Sequence, residues 1–246
     1  MTEKQNKKLM VIGASSDMGT ALISKIEGNY DKIYAHYLHE KPALSELKNK
    51  LGEKLVLLQA DLEDKSSIEE KILKPLREQN EEPCHIVYLP SLKIFIERFH
   101  KSKSQDFKRG MQISVYAAVQ ILQEYMPRMA KQKYGKVVMM LTANVLNNPP
   151  GYQSVYVTHK YALLGLMKSL AAEYASKNIT VNGVSPDMIE TDFLSELPEL
   201  VIAQNAQNGP TGRNLQVSDV VPAFEYLLSD EADAVTGVNI PITGGR

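Results

Sequence analysis

Tyr156 and Lys160 stand four residues apart in Tyr156-Val-Thr-His-Lys160, the spacing that puts a phenol and an ammonium on one face of a helix. Such a pair can deliver and withdraw protons. A free tyrosine titrates near pH ~10, and a neighbouring cation favours the phenolate and lowers that value toward neutrality. Tyr156 would then act as general acid toward a carbonyl oxygen, or as base toward an alcohol. Spacing alone does not establish this, because 12 Tyr and 22 Lys in 246 residues supply about one such pair by chance. Tyr37 and Lys41 form another. A second candidate lies upstream in Gly13-Ala-Ser-Ser-Asp17-Met-Gly19, which follows an apolar run and opens a helical stretch. There Gly13 permits a tight turn, Ser15 and Ser16 offer hydroxyls, and amides at the helix start point donors at a pyrophosphate. Glycines at such a junction can equally serve geometry alone.

Positioning these residues requires a scaffold, and the rhythm of the chain supplies one. Short apolar runs alternate with longer segments of helical period, the pattern of a parallel sheet covered by helices. Strands are expected at Lys8–Ile12, Lys32–Tyr37, Leu55–Gln59, His85–Leu89, Lys136–Leu141, Thr180–Val184 and Gly237–Ile242. Helices are expected near 18–27, 42–51, 66–79, 106–132, 154–177 and 217–229. Ser66 and Glu69 read as a capping box, and Pro42 and Ser218 sit at other helix starts. No repeat, low-complexity segment or linker divides the chain, so residues 1–246 are expected to form one domain. The stretch from Pro186 to Leu215, rich in Pro and Gly, reads as an insertion with a substrate lid at about 187–215. Its Ile189, Phe193, Leu194, Leu197, Leu200 and Val201 could close over an apolar substrate or merely pack on the domain.

Composition excludes several classes. A chain of 246 residues with 43% hydrophobic content can bury one large core. The formal net charge of -1 gives no reason to expect nucleic acid or an anionic membrane as partner, and no stretch approaches the ~18 to 20 apolar residues that span a bilayer. The charged start precedes only a short apolar run, Leu9 to Ile12, unlike a secretory leader. The single Cys84 has no intrachain partner. Together these features point to the cytoplasm. His36, His39, His85, His100 and His159 are scattered without metal-ligand spacing, so no metal is expected. His159 points off the shared face of Tyr156 and Lys160, toward a packing role.

Gly13-x-x-x-Asp17-x-Gly19, Asp61-Leu62, Tyr156-x-x-x-Lys160, Pro186-Asp-Met-Ile189-Glu-Thr191 and Thr243-Gly-Gly245 occur in an order and spacing that resembles the short-chain dehydrogenases/reductases. The run Leu170-Ala-Ala-Glu-Tyr-Ala-Ser-Lys-Asn-Ile-Thr-Val-Asn182 and Ile189-Glu-Thr-Asp192 is similar to the 3-oxoacyl-acyl-carrier-protein reductases. The resemblance covers nearly the whole chain. It implies an α/β, three-layer Rossmann fold with a seven-stranded parallel sheet in the order 3-2-1-4-5-6-7, helices on both faces, and NAD or NADP across the strand ends. The cofactor would be held by Gly13, Ser15, Ser16, Met18, Gly19, Asp61, Leu62, Pro186, Ile189 and Thr191, with Tyr156 and Lys160. It further implies a small or acyl-carrier carbonyl substrate, and homo-oligomers, tetramer or dimer, built on the helices near 106–132 and 154–177.

Several positions depart from the pattern. Ala143 stands where the family places a substrate-orienting serine; losing such a donor costs on the order of 10²–10³ in rate unless Thr142 or Asn144 replaces it. Ser114 stands where the family's helix asparagine carries a water-linked proton relay. Asp17 replaces a glycine beside the expected pyrophosphate, which is unfavourable if its side chain points inward. Leu89-Pro90-Ser91-Leu92 replaces an Asn-Asn-Ala-Gly turn, and Pro186-Asp187 a Pro-Gly step. After the second strand His39 and Lys41 could meet a 2'-phosphate, so NADP is the expected cofactor, with NAD possible. The expected activity is reduction of a ketone, with Tyr156 as acid, Lys160 as its activator and Thr142 and Ser114 as helpers. The alternative is a catalytically impaired relative that binds nucleotide or a partner, which the combined departures favour. Nucleotide-sugar chemistry is disfavoured by the short region after Pro186.

Overall fold

The structure, a computed structural model, describes residues 7–246; the opening 1–6 lies outside the described residues. Strands β1 (Lys8–Ile12), β2 (Lys32–Tyr37), β3 (Leu55–Gln59), β4 (His85–Tyr88), β5 (Gly135–Met140), β6 (Ile179–Pro186) and β7 (Asn239–Ile242) form one sheet. It is parallel throughout, in the order 3-2-1-4-5-6-7. β4, β5 and β6 are buried along their whole length, which is why apolar residues dominate β4 and β5, while β6 also buries Thr180, Asn182 and Ser185. Helices α1 (Asp17–Ile26), α2 (Pro42–Leu51), α3 (65–78), α4 (104–132), α5 (Ser154–Tyr174), α6 (Glu199–Asn208) and α7 (Val217–Leu228) complete the layers.

Side-chain alternation along β1 divides the interior in two. Met10 and Ile12 join Ile121 and Leu122 of α4 and Leu163 and Met167 of α5, while Leu9 and Val11 join Leu22 of α1 and Phe224 and Leu227 of α7. The chain leaves β1 toward β2 on one side and resumes at β4 on the other. That reversal opens a crevice at the carboxyl ends of these strands, where ligands bind in open α/β sheets.

Local details differ from expectation. Asp64, not Ser66, caps α3: its carboxylate accepts from the Ser66 amide at 2.8 Å, and Glu69 turns to Arg77 at 3.0 Å instead of reaching back. A carboxylate ahead of the helix is also favoured by the positive end of the helix dipole. α7 is capped by Gln216 and Asp219 in a reciprocal box, with Ser218 inside the first turn. Within α4 the residues Gln112–Tyr116 form a single π turn, a distortion that recurs near functional sites. The expected lid contains a 3-10 turn at Asp192–Leu194 and the helix α6. Its base is closed by Leu215 N–H to Met188 O at 3.0 Å and Glu190 N–H to Leu215 O at 2.9 Å.

Candidate active site

The crevice is a cleft of about 570 Å³ that reaches from the Gly13 loop to Tyr156. Gly13 has φ +84°, a backbone conformation that favours glycine, and a Cβ there would also sit tightly against Pro90 Cγ at 3.3 Å. Gly19 serves packing: a Cβ would fall 2.7 Å from Ala14 Cα, and the residue does not line the cleft. Ser16 caps α1. Its hydroxyl donates to Gly13 O at 2.7 Å and accepts from Gly19 N–H at 3.1 Å, so its proton is committed to the loop. Ser15 and Met18 line the cleft, and the first-turn amides at Asp17 and Met18 belong to the class that a helix leaves for ligand or water. Asp17 is exposed, and its Oδ2 accepts from the Asp192 amide at 3.0 Å. The carboxylate is thus turned toward the lid. The donor set and the glycine cradle fit a dinucleotide phosphate.

Tyr156 and Lys160 lie side by side on α5, both buried, with Lys160 Nζ 5.7 Å from the centre of the Tyr156 ring. Lys160 Nζ donates to Met140 O at 2.9 Å, at the end of β5. Thr142 lines the cleft with Tyr156, and its hydroxyl accepts from the Asn144 amide at 3.3 Å. Burial sets the proton affinities. It pushes the Tyr156 phenol up to about 12, against a smaller opposing pull from the Thr142 hydrogen bond, and pushes Lys160 down to about 7. The direction at Tyr156 is upward rather than the expected lowering, with burial as the leading cause at both groups. A phenol that keeps its proton suits an acid better than a base.

Asp61, Leu62, Pro186, Ile189 and Thr191 all line the cleft with Thr142, Tyr156 and Lys160. Ser114 does not: its hydroxyl is fully buried in the π turn without a hydrogen-bond partner, and only its neighbour Ile113 reaches the cleft. Ala143 is likewise absent from the lining, whereas Asn144 and Gln153 face the cleft as a pair, Nδ2 to Oε1 at 2.8 Å. Over Tyr156 the lid adds Leu194 and Leu197, which pack with Ile94, and the Phe193 ring lies 6.1 Å from the tyrosine ring. Apolar side chains therefore cover Tyr156 on the lid side, while Thr142, Asn144 and Gln153 also line the cleft.

Two histidines carry roles that their isolated positions did not announce. His36, on β2, accepts the Gly13 amide at Nδ1 (3.1 Å), which leaves the proton on Nε2 to bond Ala60 O at 3.1 Å. Burial holds it neutral, with a pKa near 4. It thereby ties the phosphate loop to the end of β3. His159 packs edge-on against Tyr156 at 5.4 Å, a packing role as expected but against the residue whose face it was expected to leave, and its Nε2 meets the Ser91 hydroxyl at 3.0 Å. Gly110 makes room for it: a Cβ there would lie 2.5 Å from Nδ1. Among the described residues no cluster of His, Cys, Asp and Glu could hold a metal.

Residues 13–246 match the family profile described as enoyl-(acyl carrier protein) reductase. The chain is 29% identical to the 3-oxoacyl-[acyl-carrier-protein] reductase FabG of Rickettsia felis, over 92% of this chain and 95% of that protein. It is 27% identical to nodulation protein G of a Rhizobium species, over 100% and 98%. Among solved structures, a 4-hydroxyisoleucine dehydrogenase complexed with NADH superposes with a TM-score of 0.87 at 27% identity, covering 98% of each chain. The Gly13 loop, the Tyr156 and Lys160 pair, the strand order and these relatives agree, and the chain belongs to the short-chain dehydrogenase/reductase family.

Proposed function

We propose that the protein reduces a ketone, acyl or otherwise small and apolar, to a secondary alcohol at the expense of a nicotinamide dinucleotide, with NADP preferred. The observation that carries this reading is the buried Tyr156, with Thr142 in the same cleft wall and Lys160 beside its ring, in a cleft that begins at the glycine loop. The dinucleotide, when bound, would supply the hydride. Tyr156, protonated at neutral pH, gives its proton to the developing alkoxide. Thr142 stands beside the phenol in place of the missing serine and donates to the same oxygen. Lys160, with an affinity near neutrality, is charged or neutral according to pH and supports the phenolate left after transfer.

His39 and Lys41, at the cleft edge after β2, favour a 2'-phosphate. NAD remains the alternative supported by the NADH-bound relative. The FabG relatives favour an acyl chain presented by a carrier protein. Exposed Tyr116 on α4 and Tyr161 on α5 favour association of chains through those helices, as dimer or tetramer. No described helix is long and apolar enough to cross a membrane, and the lone buried Cys84 suits the cytoplasm. A second reading, an impaired relative that binds nucleotide or a partner without turnover, is favoured by Ala143 and by the sequestered Ser114 hydroxyl. Ketone-dependent oxidation of NADPH that disappears in Tyr156→Phe decides between the two.

A further inference from the structure

Asp192 fastens the lid to the nucleotide end of the cleft. The Asp192 amide donates to Asp17 Oδ2 in the phosphate loop at 3.0 Å. Its carboxylate pairs with Lys41 at 3.0 Å, beyond the end of β2, and lies 3.7 Å from Lys93 Nζ. Lys93 in turn donates to Ser195 Oγ at 2.6 Å. The strap 191–195 therefore crosses from the phosphate loop to the ribose end of the cleft, and Phe193 and Leu194 of the same strap roof Tyr156.

Lys41 is one of the two residues that the proposed function assigns to a 2'-phosphate, and in this structure Asp192 already neutralises it. A phosphate dianion arriving at Lys41 meets a carboxylate a few ångströms away, and like charges at that distance repel. Both partners are partly exposed, 40% for Lys41 and 56% for Asp192, so the ion pair is weak enough to exchange. A dinucleotide that lacks the 2'-phosphate brings no competing charge to Lys41.

We propose that Asp192 is a specificity-determining gate: NADP(H) binds by taking Lys41 from Asp192 and releasing the strap, whereas NAD(H) binds beneath a strap that stays fastened. The choice of cofactor is thereby coupled to the apolar roof over Tyr156. This inference rests on the nicotinamide dinucleotide reading of the cleft and goes beyond it, since it assigns the discrimination to a lid residue.

The test uses the full chain and two readouts. Fluorescence titrations with NADPH and NADH are made on the wild type, Asp192→Asn, Lys41→Ala and the double variant, and amide hydrogen exchange is followed across 191–197. Asp192→Asn is expected to tighten NADPH by about threefold to tenfold, the worth of one or two exposed ion pairs, and to leave NADH unchanged. In the Lys41→Ala background the same change is expected to have no effect. Exchange across the strap is expected to rise with NADPH but not with NADH, and to rise in Asp192→Asn without nucleotide. Equal shifts for both nucleotides, weaker NADPH binding, or unaltered strap exchange overturn the gate while leaving the dinucleotide reading intact. Failure of the wild type to bind either nucleotide overturns both.

Discussion

At the scale of single residues, the site keeps its acid and replaces its helpers. Tyr156 is buried, and its phenol is pushed up to about 12, so it holds a proton throughout the neutral range. Under the proposed mechanism Thr142, two residues beyond β5 and in the cleft lining that Ala143 does not join, supplies the hydroxyl that Ala143 lacks. Replacing Thr142 with the isosteric valine removes the donor without opening a hole. The expected outcome is a fall in kcat on the order of 10²-fold with little change in nucleotide affinity. A kcat within a factor of about two of wild type would show that another group, the Asn144 and Gln153 pair foremost, stabilises the oxygen. Ser114, in the π turn, is buried without a hydrogen-bond partner and lies outside the cleft lining.

At the scale of elements, the precision of the site comes from contacts between strand ends and loops. His36 is the clearest case, since it bonds the Gly13 amide with one nitrogen and Ala60 O with the other. Substitution by leucine leaves a part-buried amide and a carbonyl without partners. This is expected to lower unfolding free energy by about 1–3 kcal/mol, read from urea denaturation. The strands were legible in the sequence to within two residues; β1, β2 and β4–β6 are largely buried and carry apolar stretches, while β3 and β7 are only partly buried. α6 was not legible, because none of its residues is fully buried and its apolar stripe is weak. Nor did His36 stand out, for a lone histidine in a strand carries no spacing signal. The Asp192 contacts join residues 175 positions apart, beyond the reach of any local pattern.

At the scale of the whole molecule, the sheet order and the position of Tyr156, Lys160 and the Gly13 loop along one cleft follow from the ordered motifs, while the proton affinities follow from burial, which no motif reports. The same burial makes the protein acid-sensitive. His36, His85 and His159 are held neutral by desolvation, with values near 4, 3 and 3. Unfolded, each would titrate near ~6.5. Because the folded values are depressed, their contribution is present above about pH 6.5 and is lost as pH falls toward 4, at up to about 1.4 kcal/mol per pH unit for each histidine. Urea midpoints are expected to drop between pH 6.5 and 5, before the paired carboxylate Glu81, held near 2, begins to titrate in the unfolded chain. A flat midpoint over that window would contradict the assignment.

The central claim is that Tyr156 delivers the proton in an NADPH-dependent ketone reduction. Its most direct test is a single stopped-flow comparison of wild type and Tyr156→Phe, each preloaded with NADPH at a concentration that a fluorescence titration shows to be saturating and mixed with a 3-oxoacyl thioester. The account predicts similar NADPH affinity in both proteins and oxidation slower in the variant by on the order of 10²–10⁴-fold. NADPH oxidation at the wild-type rate in Tyr156→Phe would contradict it.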